Sequence, residues 1–535
     1  MTTFTGTWSL ARLIVRRDRL IMPLWILVLG ILPASYASAI AGLYDTASER
    51  QEYFESIQNN PAELGMLGPI YNSSLGSLTS WRAGMLLAIT GLASILTIIR
   101  HTRAEEEAGR RELVGAAAIG RQAGLAAAML VTTIANLLLG LLCAVGLLGQ
   151  DLPATGAFAL GLSMTAIGIF FAAIGALSAQ LTETASGARG IAIAFLGGAY
   201  LLRAAGDAGG KDAQGWLNAL PWFSPLGWAQ RIRPFAQERW PLLILLCAMA
   251  ALVFIQAQRI TAQRDLGAGL LPPKLGPANA SPSLRTPLAL AWRLHRGALA
   301  AWAAGFAIFG GVLGGAADSI AKQLEENDNV SEIVEKLGGT GALSDTFLAL
   351  LMGLLALAAS GYAVAAASRL RAEETSGRLE PLLATATGRR SWLGSHLTFA
   401  LIGPTVILTA AGISGGLAYG LAQNDVGHEL PRVVTGAWVQ LPAVWVLTGI
   451  TVALFGIVPR YLPVAWGALA GFVLLGQIGS TLELSQWVLD VSPFTHIPKI
   501  PGGDFSAAPL LWLSAIAGAL ILIGAGSFRR RDLTS

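Results

Sequence analysis

Hydrophobic positions along this chain gather into long, nearly unbroken runs rather than into the alternating or three-four spacing of soluble elements. The runs lie near residues 20 to 43, 83 to 99, 124 to 148, 155 to 180, 190 to 204 and 241 to 258. Six more follow, near 297 to 317, 346 to 367, 395 to 421, 433 to 457, 464 to 480 and 508 to 526. A helix needs about 20 apolar residues to cross the bilayer core, so most runs predict a span; those at 190 to 204 and 464 to 480 are short enough to predict kinked or re-entrant segments. The pattern predicts an all-α polytopic membrane protein of about twelve spans. A secretory signal is the rival for the first run, which follows a basic stretch and contains Ala37-Ser38-Ala39. Its apolar core of about 24 residues exceeds the roughly 7 to 15 of a signal, and a similar element recurs in mid-chain, so a first span is the better reading.

Composition agrees with the runs. Of 535 residues, 54% are hydrophobic and 13% charged, about half the usual charged share, which excludes an ordinary soluble enzyme. The balance of 36 Lys and Arg against 32 Asp and Glu calls for no nucleic-acid partner. Its placement is informative, because basic residues favour the cytoplasmic side of membrane proteins. With both termini cytoplasmic, 25 of the 36 fall inside, including Arg12, Arg16, Arg17, Arg19 and Arg529 to Arg531, whereas the loops near 44 to 81 and 318 to 345 carry mainly acids. Only five of the basic residues are lysine, a bias that, with the richness in Ala and Gly, points to a GC-rich bacterial genome and hence to a bacterial cytoplasmic membrane. Cys143 and Cys247 sit in apolar runs without a partner at disulfide or metal spacing, which marks them as small core residues.

The chain is internally duplicated. Arg103-Ala-Glu-Glu-Glu-Ala-Gly-Arg-Arg-Glu112 is echoed 268 positions later by Arg371-Ala-Glu-Glu-Thr-Ser-Gly-Arg-Leu-Glu380, with 11 matches over 20 residues. Ser224-Pro225 recurs as Ser492-Pro493, and Arg264-Asp265-Leu266 as Arg531-Asp532-Leu533. Two homologous six-span halves follow, 1–264 and 288–535, joined by a Gly- and Pro-rich cytoplasmic linker at 265–287. A basic amphipathic stretch precedes the first span of each half: Leu10, Leu13 and Ile14 share one helical face and Arg12, Arg16 and Arg19 another, with Leu290-Ala291 and Arg296 as counterparts. Such stretches suit helices lying in the inner interface, and a plain flanking-charge anchor explains them as well.

Familiar chemistry is missing. No Asp or Glu falls in the central part of any run, which argues against the intramembrane carboxylate of an ion-coupled carrier. Gly210-Lys211 comes nearest to a phosphate-binding loop, but Ala205 stands at its first glycine position and Asp212 at its Ser/Thr position, so ATP hydrolysis by this chain alone is not expected. The repeated acidic-basic element remains, in the first cytoplasmic loop of each half. Glu106 with Arg110, and Glu374 with Arg378, form i,i+4 pairs in the favourable order. Gly109, Gly377 and Pro381 predict a break, with a short second helix near 112 to 118 and 381 to 386.

At these residues the chain resembles the permeases of ABC exporters of the second type, whose E-x-x-x-G-x-x-E-x-L-L pattern forms a coupling helix seated on an ATPase. The pattern is read here in Glu373, Gly377, Glu380, Leu382 and Leu383, with a degenerate copy in Glu105, Gly109, Glu112 and Leu113 that has Val114-Gly115 in place of the Leu pair. It looks most like the fused twelve-span polyketide-antibiotic (tetronasin-type) exporter permeases of actinobacteria. The resemblance implies a multidrug or antibiotic exporter whose power comes from two copies of a separate ABC ATPase subunit, which hold ATP and Mg, while this chain carries no cofactor. Glu105, Glu106, Gly109, Arg110, Glu112, Leu113, Glu373, Glu374, Gly377, Arg378, Glu380, Leu382 and Leu383 would couple to it. A substrate cavity for hydrophobic small molecules would be lined by Met85, Thr90, Ser94, Thr97, Phe195 and Tyr200, with Ser360, Tyr362 and Gln477 opposite, although polar side chains at helical spacing more often serve packing. The Trp- and Pro-rich segments near 206 to 240 and 481 to 507 suit interfacial anchoring, or short re-entrant helices that close the cavity. An exporter of lipid or glycan is the nearest alternative, and an ion-coupled secondary carrier or a signalling scaffold are more distant ones.

Overall fold

The computed structural model describes residues 3–58, 61–111, 119–208, 215–265, 267–271, 279, 281–325, 343–478 and 485–533, and these hold helices and turns with no strand. Among them, eleven helices are long and apolar enough to cross a membrane. The fold is therefore that of an all-α polytopic membrane protein. The run expected near 464 to 480 forms the 15-residue helix Val464–Ile478, about 22 Å long at 1.5 Å per residue, shorter than the roughly 30 Å hydrocarbon core. The chain divides into two compact units, Met1–Gly276 and Pro277–Ser535.

In the first unit the spans are Ile21–Leu43, Gly84–Arg100, Ala123–Leu148, Ala154–Leu181, Ala185–Asp207 and Trp240–Gln263. The fourth is the central post: 83% of its most apolar stretch is buried, against 17% for the sixth. Small residues permit this. Gly140 of the third span and Gly161 of the fourth lie so close that a methyl on either would fall within 2.4 Å of the other's carbonyl oxygen, the small-residue contact by which membrane helices associate without a hydrophobic driving force. Outside the bilayer runs, helices Ala47–Gln58, Pro61–Leu67 and Leu75–Arg82 fold the acidic loop into a cap over Ile57, Leu64, Ile70 and Trp81.

The basic amphipathic stretch of the first unit is a separate helix, Thr7–Arg17, which buries Ala11 and Ile14. Its end is fixed by Asp18, whose carboxylate forms an ion pair with Arg100 at 3.1 Å and lies 2.6 Å from His101 Nε2. The second unit departs from the expectation of a matching interfacial helix: Pro287–Glu325 is one unbroken helix. Ala298 occupies the position 280 after Asp18, so the second copy lacks the anionic anchor around which the first copy bends.

The longer helices of the second unit after Pro287–Glu325, with the short helix Leu379–Leu383, are Leu343–Thr375, Arg389–Ala422, Val426–Trp438, Leu441–Ile457, Val464–Ile478 and Ala507–Arg530. The stretch Val426–Ile457 is its most buried, at 78%, and Ala507–Arg530 again falls to 17%. In the aromatic-rich segments, the repeated Ser-Pro pairs start short helical turns. Ser224 Oγ accepts from Gly227 N–H, and Ser492 Oγ from Phe494 N–H, each satisfying one of the donors a helix start leaves free.

Candidate functional site

Each unit closes its second span on the repeated acidic-basic element, and in each the chain turns at a glycine in the left-handed region: Gly109 at φ 68° and Gly377 at φ 67°. An L side chain there would be strained by about 1–2 kcal/mol, which explains glycine in both copies. The turn also ends the helix early. Helix Arg103–Glu107 stops two residues before Gly109, so Arg110 never reaches Glu106 one turn below it. Arg110 donates instead to Glu105, from Nε and Nη2 at 2.8 Å each, and Glu105 also accepts from Arg17 at 2.7 Å. In the second copy Arg378 likewise lies 3.5 Å from Glu373 rather than on Glu374. Both expected i,i+4 pairs are thus replaced by i,i+5 pairs.

The acids left over turn inward. Glu106, with a side chain 3% exposed, is held by Arg103 at 2.9 Å, by Arg111, and by both Nη2 contacts of Arg264 at 2.8 and 3.0 Å. Arg264 is the residue that caps the sixth span. Its Nε donates to Gln180 Oε1 at 2.7 Å, and its Nη1 to the Ala268 carbonyl at 2.7 Å. Arg103, wholly buried, reaches the carbonyls of Ala179 and Ala268 at 2.8 and 2.9 Å. Arg121, at the turn into the third span, donates to the Arg264 carbonyl. Glu107 accepts from the Ala185 N–H at 2.8 Å and so starts the fifth span. Burial pulls the Arg111 guanidinium below its ordinary range while the Glu106 carboxylate opposes the shift; on exposed Arg110, the bond from Glu105 raises it.

The second unit repeats the constellation. Glu374, 2% exposed, is held by Arg371 at 3.1 Å and by a bidentate fork from Arg531 at 2.8 and 3.0 Å. Arg531 caps the last span, and Arg389 donates to its carbonyl at 2.7 Å. The support differs, and so does one partner. Arg531 lies over the rings of Phe455 and Phe528, 5.1 and 5.4 Å away, where Arg264 has hydrogen bonds. Leu379, 1% exposed and packed with Trp392, Phe455 and Phe528, stands where the first copy has Arg111.

Glu106 and Glu374, expected on a docking surface, are therefore interior clamps. An ionised carboxylate is stable in such a place only when fully paired, and each has its arginines from its own unit. Glu373, also buried, lies near Arg369 at 3.4 Å and Arg378 at 3.5 Å. Leu382 and Leu383 pack partly against the unit's own apolar cluster. The charged residues that the element presents outward are Glu107 and Arg110 in the first unit and Arg378 and Glu380 in the second. Glu112 and Leu113 lie outside the described residues. Arg103, Arg121 and Arg264, with Arg371, Arg389 and Arg531, are the participants that the sequence reading did not assign; the recurrence of Arg264-Asp265-Leu266 was the available signal.

The residues expected around a cavity are scattered within their units. Thr90, Ser94 and Thr97 are buried; Ser94 exchanges hydrogen bonds with Asn136 of the third span, and Thr97 donates to its own helix at Ala93. Met85 packs against the outer cap. Tyr200 donates to the Met66 carbonyl at 2.8 Å, and Phe195 is 43% exposed beside Phe170 and Phe171. In the second unit Ser360 donates to Ala356 of its own helix, and Tyr362 packs on Trp302; the Gln477 side chain lies outside the described residues. Cavities of about 640 Å³ and 480 Å³ occur in the first unit, and none of these side chains lines them. The larger is an apolar groove between the third and sixth spans, flanked by Met129, Leu130, Phe254 and Ile255.

An all-helical membrane protein with duplicated loops of this kind has a clear relative. Residues 284–529 match the family described as the C-terminal domain of the multidrug efflux system permease Rv1217c. Over 531 residues the chain is 46% identical to the multidrug efflux system permease protein Rv1217c of Mycobacterium tuberculosis, covering 99% of this chain and 96% of that protein. The chain belongs to this family of multidrug efflux permeases.

Proposed function

We propose that this chain is the membrane-spanning subunit of an ATP-driven exporter of the second ABC type, and that it extrudes hydrophobic or amphipathic drugs or antibiotics from the cytoplasm. Two copies of a separate ATPase subunit dock on the repeated loops and carry the ATP and Mg; this chain supplies the path. Both termini and both loops face the cytoplasm of a bacterial inner membrane, on the side favoured by the basic residues. The family resemblance extends the reading to tetronasin-type polyketide exporters.

One observation carries it. In a chain related to an efflux permease, the second copy of the element ends its helix at a left-handed glycine and then offers exposed Arg378, at the start of a short helix, Leu379–Leu383, and exposed Glu380 within it. A charged helix fixed to a packed unit by buried leucine is the form of a docking surface. Purification in mild detergent tests the reading: a co-purifying protein with a phosphate-binding loop is expected, and Glu380→Arg should remove it while leaving the permease in the membrane. Absence of any such partner from the wild-type protein overturns it.

A further inference from the structure

We propose that the buried pairs Glu106 with Arg264 and Glu374 with Arg531 are positioning pairs that fasten the end of each unit's second span, where the loop begins, to the cytoplasmic end of its last span, so that the two span ends move as one body. The inference rests on the docking role proposed for the loops. It goes further by assigning the step that transmits their motion.

Three features support it. The pairs join residues 158 and 157 positions apart, and the same geometry occurs in two units whose surrounding side chains differ, hydrogen bonds in one and aromatic rings in the other. Secondly, each clamp arginine caps a span that is only 17% buried, so that the clamp restrains the end of a peripheral helix. Thirdly, each loop pivots on a glycine in the left-handed region. Glu106 lies in helix Arg103–Glu107, at the end of the second span, and Glu374 in Leu343–Thr375, so each clamp ties the end of the second span, just before the pivot, to the end of the last span, and a force passed through the turn reaches both. Glu106 and Glu374 stand three residues before Gly109 and Gly377, and Arg121 and Arg389 brace the clamp arginines by their carbonyls.

The test uses the full chain with its co-purified ATPase, in the double variant Glu374→Gln, Arg531→Gln. Removing both charges avoids the isolated buried ion that either single change creates. The expected result is a stable permease that still co-purifies with its ATPase, with drug stimulation of ATP hydrolysis and efflux of a fluorescent hydrophobic dye each falling at least tenfold; a structural role alone would not separate assembly from coupling. Retention of wild-type stimulation and efflux by the assembled double variant overturns the proposal, whereas loss of the ATPase from the wild-type chain overturns the docking reading beneath it. A second measurement leaves the clamp intact. Spin labels on Thr375→Cys and Asp532→Cys, both exposed, in a Cys247→Ser background, should report one unchanged distance with and without MgATP. A distance that changes with nucleotide shows the end of the second span moving independently of the last span and overturns the proposal.

Discussion

Replacing Glu106 by Gln removes one charge and leaves three arginines around the gap. Arg103 is 0% and Arg264 7% exposed along the side chain, and Arg111 is 20% exposed, although Arg111 and Arg264 also line the cavity of about 480 Å³. Breaking a buried ion pair from one side costs about 3–5 kcal/mol, because the remaining charge is unneutralised. For a unit of this size that corresponds to a fall in the unfolding midpoint on the order of 10 °C. Glu105→Gln is the internal control: its partners Arg17 and Arg110 are 43% and 49% exposed, and pairs of that kind contribute about 0–1 kcal/mol. The assay is built into the unit. Cys143 is fully buried in the third span, and in a Cys247→Ser background its reaction with a thiol-reactive dye on heating in detergent reports unfolding. Equal midpoints for the Glu106 and Glu105 variants would refute the assignment of Glu106 as an interior clamp.

For the second unit, which has no cysteine, the same assay uses Ala359→Cys, at a fully buried position, in a Cys143→Ala, Cys247→Ser background. Gly377→Ala places a side chain at φ 67° and should destabilise by about 1–2 kcal/mol, whereas Gly467→Ala, in a helix with open space around it, should be neutral or slightly stabilising. Gly140→Val forces a branched side chain against the Gly161 carbonyl and should prevent accumulation of folded protein in the membrane, read by the yield of monodisperse detergent-solubilised chain. Glu380→Arg, on an exposed position, should shift the midpoint by less than about 0.5 kcal/mol equivalent while eliminating ATPase co-purification.

Most spans were legible from apolar length: the run at 155 to 180 became Ala154–Leu181 and that at 241 to 258 became Trp240–Gln263. The run at 190 to 204, too short to predict a straight span, instead became the 23-residue helix Ala185–Asp207, because helix-compatible residues extend it at both ends. Which of Ala154–Leu181 and Trp240–Gln263 is central was not legible, since both are apolar all round and only packing separates 83% from 17% burial. The duplicated element was visible as a pattern, and Gly109 and Gly377 as its breaks. Its pairing was misread, because an i,i+4 rule holds only while the helix continues, and the helix ends at Glu107. The clamp partners lie more than 150 residues away in sequence. Their repeat could be seen, but the contact depends on the tertiary approach of the sixth span to the loop. The merged helix Pro287–Glu325 shows the converse: a shared basic pattern produces a separate interfacial helix only where a residue such as Asp18 bends the chain.

The central claim is that an external ATPase powers this permease through its loops. It is tested most directly by dye uptake into inside-out liposomes containing the permease with its co-purified ATPase. Uptake should require hydrolysable ATP, vanish when the ATPase is stripped away, and be indifferent to collapse of ion gradients. Accumulation by the permease alone, driven by a proton or sodium gradient without ATP, would contradict the account.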